Sequence, residues 1–107
     1  MQKTISILSL GALALAGTSL FAQGKGDAAK GKAVFEQCSV CHNADSAEVK
    51  MGPGLKGLYK RKLTDGKAAT DATVGAKIDA GGGGMPAYKD LLSAAEKANV
   101  IAYLKTL

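Results

Sequence analysis

The chain has 107 residues, with 14 basic side chains against 9 acidic ones, a formal net charge of +5, two cysteines and one histidine. The length predicts one domain at most. The basic excess would suit nucleic acid, an anionic membrane or an acidic protein, but Lys60-Arg61-Lys62 is the only basic triplet and there is no dense basic arm.

The first elements bear on that choice. Met1-Gln2-Lys3 precedes an apolar run from Ile5 to Phe21 that is broken only by small and hydroxyl residues. A positive start, an apolar stretch and then small residues make a secretory signal peptide. Residues 1–22 are therefore expected to be removed by cleavage after Ala22, although Leu20 stands where a small residue is preferred. A retained membrane anchor is the rival reading, weakened by Gly11, Gly17, Thr18 and Ser19 and by a weakly basic flank. The expected product is an exported, periplasmic domain of residues 23–107, with no stable membrane insertion and no nucleic-acid partner. Such a chain is short for an apolar core of its own, and small domains usually need a staple or a cofactor.

Asp27 can cap a helix from Ala28 to about Gln37, with Val34 and Phe35 as its large apolar residues. Gly31 in its middle costs roughly 1 kcal/mol against alanine, and such a glycine often permits close approach of another helix. Cys38-Ser39-Val40-Cys41-His42 comes next. C-x-x-C-H reads as covalent attachment of a c-type haem. Two cysteines three apart can each add to one of the two vinyl groups of a single porphyrin. The histidine that follows then lies under the iron as its proximal ligand. A thioredoxin-like dithiol would want a βαβ context. A structural zinc site would want four ligands, and no fourth cysteine or histidine is present. A simple disulfide would leave His42 unexplained.

After a polar loop, Met51-Gly52-Pro53-Gly54-Leu55 reads as a turn. Leu55, Leu58 and Tyr59 then suit a short helical turn, and residues 62–67 a polar loop. Thr70 or Asp71 can cap a helix to about Asp79, with Val74 and Ile78 on one face. Four glycines, Gly81 to Gly84, end it. They lack the preceding strand and spaced lysine of a phosphate loop. Met85-Pro86-Ala87-Tyr88 follows, and Ser93 with Glu96 forms a capping box for a last helix carrying Val100, Ile101, Tyr103 and Leu104. No alternating strand pattern occurs, so the expected class is all-α, with three to five helices around a cofactor. Met51 and Met85 are the thioethers available as a second axial ligand.

With these pieces in this order, residues 24–107 resemble a class I c-type cytochrome. Gly31 to Phe35 resembles the family's N-terminal helix and Cys38 to His42 its haem motif. Gly52-Pro53-Gly54-Leu55 resembles the turn that follows, Met85 before Pro86-Ala87-Tyr88 the distal-ligand loop, and Asn99 to Lys105 the C-terminal helix. Phe35 departs from the pattern, standing three rather than four residues before the first cysteine, which suggests a tightened helix end. The lack of tryptophan rules out a propionate contact of that kind.

The resemblance implies a cytochrome c-like fold with one covalent haem c held by Cys38 and Cys41. It implies His42 as proximal and Met85 as distal iron ligand, and the Pro53 carbonyl as the acceptor that orients His42. It also implies that Gly31 and Phe35 meet Val100 and Tyr103 where the terminal helices cross. Tyr59 and Tyr88 are candidate haem contacts. The implied role is a monomeric electron carrier, not an enzyme, that shuttles single electrons between redox partners. Lys56, Lys60, Lys62 and Lys89 are candidates for steering an acidic partner. The alternative is a haem subunit of a periplasmic oxidoreductase, or an enzyme or sensor with an open distal site.

Overall fold

The computed structural model describes residues 26–107, so the expected signal segment 1–22 and its cleavage after Ala22 lie outside the described residues. Helix α1 spans Ala28–Phe35. The Asp27 carboxylate accepts from the Ala29 and Lys30 N–H groups at 2.8 and 3.2 Å, so the cap falls where the sequence puts it. The helix stops two residues short of Gln37 because the chain tightens. The Phe35 carbonyl takes both the Cys38 and Ser39 N–H groups, at 2.7 and 2.9 Å, and the Cys38 carbonyl takes those of Cys41 and His42, at 3.1 and 3.0 Å. The haem motif is thus wound into consecutive turns directly after α1.

A 3-10 turn occupies Leu58–Lys60. Helix α2, Asp71–Ala80, is capped by Thr70, whose hydroxyl is matched by that of Thr73 in a reciprocal box. Helix α3, Ala94–Leu104, begins with the predicted box: Ser93 N–H donates to Glu96 Oε1 at 2.9 Å and Glu96 N–H to Ser93 Oγ at 3.1 Å. Each such cap contributes about 1 kcal/mol. Among the described residues the only β pairings are two isolated bridges, Lys62 with Ala68 and Gly82 with Met85. The fold is all-α, as expected.

The main helix contact is α1 crossing α3. Gly31 is buried at the crossing, where a Cβ would run into the Asn99 carbonyl and come within 2.9 Å of Tyr103 Cβ. Beside it the Phe35 and Tyr103 rings tilt at 52° with centroids 5.3 Å apart, a favourable aromatic geometry. Asn99 Oδ1 also accepts the Asp27 N–H at 2.8 Å, tying the start of α1 to α3. Gly31→Val is therefore expected to force the helices apart and cost at least about 1–3 kcal/mol. Denaturant unfolding of the holoprotein reads this as a lower midpoint, and an unchanged midpoint would contradict the crossing.

Helix α2 is tied to α3 by Lys97–Asp79 and Lys105–Asp71 ion pairs, both at 2.8 Å and partly exposed. Such pairs add little stability. The Lys105 ammonium holds the Asp71 carboxyl below the usual carboxylate range. Its small contribution is present above that range and is lost as pH falls through the lowered value.

Candidate cofactor site

The segment after His42 folds back along the haem motif. Gly52 N–H donates to the Cys41 carbonyl and Leu55 N–H to the Asn43 carbonyl, each at 2.7 Å. This return lays Pro53 beside the imidazole: His42 Nδ1 and the Pro53 carbonyl are 2.8 Å apart. A carbonyl only accepts, so Nδ1 carries a proton and donates it, which in the neutral ring leaves the lone pair on Nε2. Gly52 makes the approach possible, because a Cβ there would lie 2.9 Å from Nδ1 and 3.1 Å from Nε2. That steric need explains the glycine of the Gly52-Pro53 turn.

Gly81 to Gly84 all have positive φ, at +64°, +114°, +62° and +95°. Side chains rarely adopt such backbone, which accounts for four glycines in a row. Gly82 and Met85 exchange N–H···O bonds of 2.9 and 3.1 Å around Gly83 and Gly84, closing a tight turn of the type that requires positive φ at both central residues. Beyond Met85 the chain returns to the end of α2, where Tyr88 N–H donates to the Ile78 carbonyl at 2.9 Å. The Met85 side chain, half-buried, is held by a closed loop on a capped helix.

Cys38, Cys41, His42, Pro53, Met85 and Tyr88 all line one cavity of about 480 Å³, within the range of small-molecule and cofactor sites. Its wall is the core itself. Phe35, Leu58, Val74, Ile78, Val100 and Leu104 are buried and also line the cavity; among the described residues Ile101 is the one buried large apolar side chain that does not. An apolar guest would complete this core. The donor set fits a haem: two free thiols on adjacent turns, one imidazole with its outer nitrogen protonated, and one thioether. Burial first, and then the neighbouring Cys41, pushes the Cys38 thiol above its usual range. The Tyr88 phenol is pushed up by burial first and then by the charge of the two cysteines.

Tyr59 is placed elsewhere. It does not line the cavity. Its hydroxyl donates to Asp71 Oδ1 at 3.1 Å, and the Lys105 ammonium sits 6.0 Å from its ring centroid. Burial, then the hydrogen bond to Asp71, pushes its phenol far up. Tyr59→Phe is expected to cost about 1 kcal/mol or less of stability and to leave the haem potential at the parent value. A shifted potential would put Tyr59 back at the haem.

The two methionines differ. Both line the cavity, but Met51 is 79% exposed, with Sδ 3.6 Å from Cys41 Sγ, whereas Met85 is half-buried. Lys56, Lys60, Lys62 and Lys89 are exposed, and none lines the cavity. Sequence reasoning passed over Arg61, Leu63 and Leu92, which do line it. Arg61 Nη2 donates to the Gly54 carbonyl, but in the sequence it reads as the middle of a basic surface triplet. Leu63 is hidden in a polar loop. Leu92 stands beside the exposed Leu91, and only a register reading of that pair would have separated them.

The family model for cytochrome c matches residues 28–107. A cytochrome c2 of Rhodopseudomonas palustris is 58% identical over 36 residues, which span 34% of this chain and only 30% of that protein. The chain thus covers less than a third of the length of this c2 relative. A cytochrome c6 of Picosynechococcus sp. is 36% identical over 93 residues, covering 82% of this chain and 77% of that protein. The solved structure of cytochrome c6 from the diatom Phaeodactylum tricornutum superposes with a TM-score of 0.60 at 28% identity, over 76% of this chain and 93% of that one.

Proposed function

Because the chain belongs to the cytochrome c family, we propose that it is a carrier of single electrons between redox proteins, working through one covalently bound haem c. Cys38 and Cys41 would hold the ring by thioether bonds, and His42 Nε2 and the Met85 thioether would hold the iron. The observation that carries this reading is that His42 and Met85 line a single cavity whose wall is the protein core. Bound there, the haem iron supplies one-electron chemistry between its ferric and ferrous states.

The rest is done by the chain. The Pro53 carbonyl fixes the His42 ring and its tautomer, and raises the basicity of Nε2. The Gly81–Gly84 turn presents Met85, and thioether ligation favours the reduced iron. The apolar wall keeps water away. If His42 and Met85 both hold the haem, the chain's own side chains would occupy the places a substrate would need, which favours a carrier over an enzyme or sensor.

The partner we propose is an acidic redox protein, steered by Lys56, Lys60, Lys62 and Lys89, and the setting is the periplasm, where the protein works as a monomer. All four lysines are exposed, and no helix among the described residues is long and apolar enough to cross a membrane. Stopped-flow electron transfer between the ferrous holoprotein and an acidic redox protein tests this. The second-order rate is expected to fall as salt rises, because exposed charges are screened beyond roughly 10 Å at 0.1 M. A rate indifferent to salt, or rising with it, would remove the basic docking face.

A further inference from the structure

We infer that Lys77 is a positioning residue for the distal ligand: its ammonium clamps the first glycine of the loop that holds Met85 in the cavity wall. This rests on the reading of Met85 as that ligand.

Lys77 stands in the last turn of α2 and grips Gly81 twice. Its backbone carbonyl accepts the Gly81 N–H at 2.8 Å, and its Nζ donates to the Gly81 carbonyl at 3.1 Å. Gly81 lies at φ +64°, ψ −143°, a backbone state open essentially to glycine alone. It also abuts the Met85 and Pro86 carbonyls so closely that a Cβ would run into both. Gly81 is therefore the residue through which the end of α2 meets the ligand segment.

The loop needs such a grip. Four consecutive glycines lose more conformational freedom on ordering than any other sequence would, and Gly83 and Gly84 have open space where side chains would be. The far side is secured by Tyr88 N–H on the Ile78 carbonyl at 2.9 Å and Lys89 N–H on the Asp79 carbonyl at 3.3 Å. On the near side, the only side-chain hydrogen bond to the glycine run among the described residues is that of Lys77. A cation at a helix C-terminus is also favoured by the helix dipole, and a charge-assisted bond is stronger than a neutral one. Lys77 lines the cavity as well, and a Cβ on Gly82 would be 3.6 Å from its Nζ. Its side chain is solvent-exposed, but unlike Lys56, Lys60, Lys62 and Lys89 it borders the cavity.

The test compares three holoproteins with the parent. Lys77→Leu removes the donor and Lys77→Arg keeps one. Lys32→Leu removes the same charge from an exposed position on α1 outside the cavity wall. Two properties are read: the rate of carbon monoxide binding to the ferrous form, and the proton resonance of a methionine methyl moved far upfield by the porphyrin ring current. In the parent the shifted methyl should be present and binding slow. Lys77→Leu should bind carbon monoxide roughly three- to tenfold faster, the factor expected for one hydrogen bond of ordinary net strength, while Lys77→Arg and Lys32→Leu stay at the parent rate. A Lys77→Leu rate equal to the parent's, or a Lys77→Arg rate equal to that of Lys77→Leu, would overturn the clamp and leave the ligand reading standing. A parent without the shifted methyl would overturn the ligand reading and the clamp with it.

Discussion

Met85→Ala is expected to raise the rate of carbon monoxide binding to the ferrous protein by about a hundredfold or more and to lower its reduction potential. In the proposed reading the Met85 thioether closes the distal position, and the tight glycine turn holds that residue in the cavity wall. If the sulfur is displaced in only about 1% of molecules, external ligands bind in proportion to that fraction. Alanine in place of Met85 makes every molecule competent. The potential falls because the thioether, which favours ferrous iron, is gone. Met51→Ala provides the control. Met51 is exposed beside Cys41, and its loss should leave both quantities near the parent values. If Met51→Ala were the variant that admits carbon monoxide, the ligand assignment would be reversed.

Replacing both Cys38 and Cys41 by serine is expected to make the haem extractable and, once it is removed, to unfold the chain. The parent should keep its haem through acidic acetone, since two thioether bonds survive denaturation. The energetics follow from the wall. Six of the core side chains, from Phe35 in α1 to Leu104 in α3, face the cavity. At about 24 cal/mol per Å³, a void of 480 Å³ costs at most about 12 kcal/mol. Whole domains are stable by about 5–15 kcal/mol, and short chains lie at the low end of that range. The haem-free double variant should therefore lose most of its helical circular dichroism. A haem-free chain that kept its helices and a cooperative thermal transition would show that the core does not depend on its guest.

These expectations explain which parts of the molecule were legible in its sequence. Local signals fixed the helices: Asp27, Thr70 and Ser93 cap at the positions their side chains suggest, and Glu96 completes its box. Cys38, Cys41 and His42 were readable because covalent attachment demands adjacent residues at one spacing. Met85 and Pro53 lie far along the chain from His42 and were reached through resemblance to a family, not from periodicity. Tyr59 and Tyr88 could not be told apart, because an aromatic side chain carries no local sign of what it faces. Only the folded chain shows Tyr88 on the cavity wall and Tyr59 bonded to Asp71. The premature end of α1 and the Lys77 grip on Gly81 are likewise products of loops meeting helix ends, where no repeat pattern is present to be read.

In the function we propose, His42 and Met85 together close the haem iron to outside ligands, and the chain works as an electron carrier. Voltammetry of the holoprotein on one electrode, first under argon and then under carbon monoxide, tests it most directly. One reversible one-electron wave is expected, with the same midpoint under both gases at ordinary scan rates. A midpoint that moves upward under carbon monoxide, or a return wave that disappears, would mean that the ferrous iron is open to outside ligands, and would contradict it.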